Sequence, residues 1–200
     1  MENHLDGVTP EGRMMRGVAK VPGLLNRARK ARKDGVTDEN LLIDALAAYH
    51  MAKGAADELR EKYKKARLPP KGEFSFQDPI VMAHSFYQRS FGLSLTVVII
   101  LSCVVTGIDP GNAVVVDPSI YIDEILEIAG SAMIYRPLAA SFVPMCLMMA
   151  WISTGDLARR QTIEAALKAY ENDYAEGQAV VMTPKVEQIS RQLRLVDLNV

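Results

Sequence analysis

Two stretches of the chain carry no charged residue. Phe91 to Ile108 reads FGLSLTVVIILSCVVTGI over 18 residues, and Leu138 to Thr154 reads LAASFVPMCLMMAWIST over 17. A helix of 18 residues spans roughly 27 Å, close to the roughly 30 Å hydrocarbon core of a bilayer. Buried helices of water-soluble folds are usually shorter and apolar on one side only. The pattern therefore predicts an all-α protein built on a two-span transmembrane helical hairpin. The second run contains Pro144 and reaches full length only from about Met133. That start places Arg136 at the headgroups, with its stem along apolar surface and its guanidinium in the polar layer.

Outside the two runs the spacing is that of amphipathic helices. From Thr37-Asp38-Glu39 to about Arg67, apolar residues recur at Leu42, Ala45, Leu46, Tyr49, Ala52, Ala56, Leu59, Tyr63 and Ala66. Steps of three and four make one stripe along a helix. A single helix cannot bury such a stripe alone, so Leu42, Leu46, Tyr49, Leu59 and Tyr63 mark a partner-helix face. Asp78-Pro79 starts a helix that runs into the first span, with Asp as cap and Pro at the first position. Asp117-Pro118 is a second such start. The segment after it puts Asp123, Glu124 and Glu127 opposite Ile122, Ile125, Leu126 and Ala129, as a helix lying in a membrane interface would. Asp156 can cap a helix to about Glu176, and Thr183-Pro184 opens a last short one.

These elements divide the chain into a flexible basic arm (1–36), an amphipathic cytoplasmic helix (37–68), a Pro-rich linker (69–77) and a helix entering the first span (78–108). An acidic outer connector with an interfacial helix (109–132), the second span (133–154) and a short helical cytoplasmic tail (155–200) complete it.

Charge sharpens this picture. The chain has 23 Lys and Arg, 24 Asp and Glu, and 49% hydrophobic residues, which as averages describe an ordinary globular protein. Resolved along the sequence, residues 1–89 hold 16 bases against 12 acids, while residues 109–135 hold five acids and no Lys or Arg. The positive-inside rule then places both termini in the cytoplasm, or in a virion interior, and the connector on the far side. The first apolar run starts about 90 residues in, too late for a signal peptide, which favours a multi-pass inner-membrane or virion-membrane protein. Arg27, Arg29, Lys30, Arg32 and Lys33 form a basic cluster suited to anionic lipid or phosphate. No aromatic residue is interleaved with them, which weakens a single-strand-binding reading.

Little along the chain points to reaction chemistry. His4, His50 and His84 fall in separate segments without ligands at helical spacing, so no metal site or cofactor is expected. Two cysteines cannot make a disulfide framework, and Cys103 and Cys146 both fall within the apolar runs. The sequence contains no Gly-rich phosphate loop, G-x-S-x-G or H-E-x-x-H. Neither span contains an acid, which disfavours a channel or pump. The expectation is a non-enzymatic structural or assembly subunit of a larger membrane complex, with membrane lipid and other protein subunits as partners. Secretion or conjugation machinery, a membrane-containing virion, or an energy-transducing complex would each fit. The competing reading is a membrane-tethered nucleic-acid adaptor using the cluster at 27–33.

Overall fold

A computed structural model describes residues 9–34, 38–67, 75–112, 114–115, 117–171 and 173. Within them the chain is helical, with no strand: α1 (Pro10–Asp34), α2 (Glu39–Lys65), α3 (Pro79–Ile108), α4 (Ser119–Ser131), α5 (Val143–Ser153) and α6 (Leu157–Glu171). A 3₁₀ turn, Ala132–Tyr135, follows α4. Short polar side chains satisfy the orphan N–H groups at helix starts. Thr9 accepts from the Gly12 amide, Asp38 from Asn40, Asp78 from Ile80 and Asp156 from Ala158.

Cross-helix contacts fix an up-and-down order. Arg13 meets Glu58, Gly17 lies against Ala52 and Arg27 reaches Asp44, so α1 and α2 are antiparallel. Tyr63 lies on His84 and Phe91, near the start of α3, while Gly17 bridges Ala52 to Val97 and Leu101 further along it. Helix α4 then returns along α3, since Gln88 bonds Ser131 at its far end. Helix α5 runs back with Gly92 against Phe142 and Cys146, and α6 descends beside α4 from Arg159–Asp123 to Tyr170–Ala129. Helices α1, α3 and α5 point one way, and α2, α4 and α6 the other.

Helix α3 is the axis of this bundle. It is long and apolar enough to cross a membrane, and 67% of its most apolar 18-residue window is buried inside the fold. Leu95, Val98, Ile99, Leu101 and Val105 are covered completely. Transferring such side chains from water contributes about 1.5–3 kcal/mol each before entropy costs, which is why α3 gathers the other helices around it.

Several expectations change here. The second apolar run is helical only over the 11 residues of α5, about 16 Å, roughly half a bilayer core. Residues 136–142 are turns, opened by Pro137, and they use up the rest of the run. Among the described residues one helix, α3, rather than the expected two, is long and apolar enough to cross a membrane. The acidic segment, expected on the far side from the basic ones, lies against them. Glu124 on α4 is bonded by Arg60 at 2.7 and 2.9 Å, and Asp123 by Arg159 at 3.1 Å. The opposite charges that suggested two sides of a membrane are complementary faces of one bundle. Its Tyr121, Ile122, Ile125 and Ile128 pack into the core, so α4 is a bundle helix rather than an interfacial one.

The basic arm is likewise helix α1 over Pro10–Asp34. Its buried residues are Pro10, Gly12, Met14, Gly17, Leu24 and Ala28, three of which are too small to register as an apolar stripe. At Gly17 the smallness has a use, because a Cβ would meet Val97 at 3.3 Å. The last short helix expected from Thr183-Pro184, and residues 174–176 of the tail helix, lie outside the described residues.

Candidate functional site

The basic cluster divides. Arg27 is turned toward α2: its Nε and Nη2 donate to Asp38 at 2.8 and 2.9 Å, and its Nη1 donates to Asp44 at 2.6 Å. This fork fastens the end of α1 to the start of α2, and the guanidinium holds the Asp38 carboxyl below the usual carboxylate range. Arg29, Lys30 and Lys33 are exposed on the last turns of α1. The side chain of Arg32 lies outside the described residues.

Arg136 also has an internal partner. Its Nε and Nη2 donate to Asp173 at 2.5 and 2.6 Å, and its guanidinium lies 5.3 Å over the Tyr170 ring. The Tyr170 hydroxyl donates to the Ala129 carbonyl at 2.6 Å. Arg136 thus ties the end of α6 to the turn after α4, where the sequence suggested a headgroup anchor.

On the partner-helix stripe, Tyr49 and Leu59 are fully buried, while Leu42, Leu46 and Tyr63 sit half-buried at its edge. Leu41, Ala45, Ala48, Ala52, Ala55 and Ala56 complete the covered surface. The buried sector is wider than a single stripe because α2 lies between two helices, α1 and α3. The partners it required are within this chain.

Where α2, α3 and α4 converge, the structure builds a polar seam that no sequence spacing announced. Gln88, fully buried, donates through Nε2 to Ser131 Oγ at 2.8 Å and to the Tyr63 hydroxyl at 3.2 Å. Its Oε1 has no hydrogen-bond partner among the described residues. One turn earlier, His84 Nδ1 lies 2.6 Å from the Tyr135 hydroxyl, and both side chains are buried. Burial pushes the Tyr135 hydroxyl up to about 12, so it stays protonated at neutral pH. Burial also holds the His84 imidazole below its ordinary value. Tyr121, buried and bonded to Tyr49, is likewise raised.

Beside the seam, Arg60 joins Glu124 and Asp57 and lies 5.5 Å from the Phe91 ring centroid. Burial alone would raise Asp57, but the hydrogen bonds from Lys53 and Arg60 outweigh it and the carboxyl is lowered. A pocket of about 270 Å³ opens here, lined by Arg60, Tyr63, Lys64, Phe91, Glu124 and Ser131 among others.

Burial keeps these tyrosines un-ionised and the histidine neutral at neutral pH, and their hydrogen bonds join α2, α3, α4 and the turn after α4. Among the described residues no three His, Cys, Asp or Glu side chains gather as a metal site requires. Gln88, Ser131, Tyr135, Arg60 and Glu124 were invisible as a group because they lie on four segments that only the bundle brings together. Compared with protein-family models, curated proteins and solved structures, the chain finds no match.

Proposed function

We propose that the protein is a non-catalytic structural or assembly subunit of a larger complex that works at a membrane. The observation that carries this reading is α3, a helix with the length and apolarity of a membrane span held at the centre of a charged bundle. Two of its buried polar side chains hold helices together: Gln88 and His84 join α3 to α2, to α4 and to the turn after α4. Helix α1 carries eight bases against two acids in its sequence, and Lys30 and Lys33 among them are exposed, a surface for anionic partners.

The test is fractionation of the tagged chain from its native source, followed by mild-detergent extraction and a native gel with cross-linking. The expected result is recovery with membranes in a species several times the mass of the chain. Recovery as a monomer in the soluble fraction overturns the reading.

A further inference from the structure

We infer that the side of the bundle where α3 stays uncovered, between α1 and α5, is a docking surface for an anionic lipid bilayer. The protein lies on that bilayer with α3 parallel to the membrane plane. This inference rests on the reading of a protein that works at a membrane, and it names the surface and the lipid.

The geometry starts from two close approaches to α3. Gly17 brings α1 onto Val97 and Leu101, and Gly92 brings α5 onto the same helix through Phe142 and Cys146. Between those contacts Leu93, Ile100 and Cys103 are only partly covered. The strip continues toward the start of α3 through Met82, 56% exposed, and Phe86, 39% exposed. On α5, Met145 is 45% exposed, while Trp151 and its stacked Arg160 mark the side of that helix that faces α6. From Phe86 to Cys103 the strip is about 26 Å long.

Charge selects the occupant. Helix α3 has one charged residue, Arg89, and α5 has none. Arg89 lies 5.8 Å over the Phe86 ring, a basic–aromatic pair of the kind that sits at a headgroup layer. At the other end of the bundle α1 carries exposed Lys30 and Lys33 on a helix with a net charge of +6. An apolar strip with basic residues at both ends suits a surface that is apolar within and anionic at its face. A second copy of the chain would set two +6 helices against each other across a two-fold contact. A nucleic acid would engage the bases and leave the apolar strip unused.

Purified full-length chain is mixed with phosphatidylcholine–phosphatidylglycerol vesicles or with phosphatidylcholine vesicles and floated on a density gradient. The expected result is flotation with the anionic vesicles, weakened by salt, and little with the neutral ones. Met82→Glu/Met145→Glu changes exposed positions and should cut vesicle partitioning at least about tenfold without altering the melting curve. Lys30→Glu/Lys33→Glu should lose the preference for anionic vesicles. Ile43→Glu, an exposed apolar position on α2, should leave binding unchanged. Failure of the wild type to float, undiminished binding by the methionine variant, or binding of a DNA duplex in place of vesicles overturns the inference. If docking fails while the chain is still recovered in a membrane complex, only the lipid surface falls; if neither is found, the wider reading falls with it.

Discussion

Buried beneath Tyr63 and beside Tyr135, His84 is a polar residue whose role depends on staying neutral. In the unfolded chain an imidazole takes up a proton near pH 6.5, whereas in the fold burial lowers that value. Stability from this group is complete above about pH 6.5 and is lost as pH falls through the lower folded value. Urea unfolding should therefore show a smaller free energy at pH 5.5 than at pH 7.5. His84→Gln, which keeps an acceptor but does not titrate, should flatten that difference; an equally steep loss in the variant would exclude the histidine as its source. From sequence alone His84 was legible only as a lone histidine near the start of an apolar helix, because its partner Tyr135 is 51 residues away.

At the scale of elements, α3 and its neighbours show how small residues set distances. Gly92 lets α5 approach so closely that a Cβ would lie 2.8 Å from a Phe142 ring carbon, while a Cβ at Gly54 meets nothing within 4 Å. Both glycines sit inside helices, where alanine is intrinsically better by about 1 kcal/mol. Gly54→Ala should therefore raise stability by about 0.5–1 kcal/mol in chemical denaturation. Gly92→Ala should fall below it by about 1–3 kcal/mol, as the buried ring is forced aside. Equal values for the two variants would show that α5 does not pack on α3 in this way. The helix starts at Asp38, Asp78 and Asp156 were readable because a cap is a local interaction. The length of α5 was not, since a charge-free run can be divided between helix and turns without any change in composition.

Across the whole molecule, the decisive contact is between segments that charge bias had assigned to opposite sides of a bilayer. Arg60 and Glu124 are both partly buried and joined by two hydrogen bonds. Arg60→Glu or Glu124→Arg alone should destabilise by about 2–4 kcal/mol, because each leaves like charges side by side. The double exchange should recover at least about half of that loss in a double-mutant cycle. Additive losses would mean that α2 and α4 do not meet. The all-helical class, most helix starts, the apolar character of α3 and the opposing charge blocks were determined by the sequence itself, because each follows from neighbours in the chain. Which helices cover α3, where Arg27 and Arg136 point, and whether the acidic block faces a membrane or its basic counterpart were decided only in the tertiary structure. Periodicity states that a face must be buried, and net charge states that a block needs a partner. Only packing among residues tens of positions apart selects which surface meets each need.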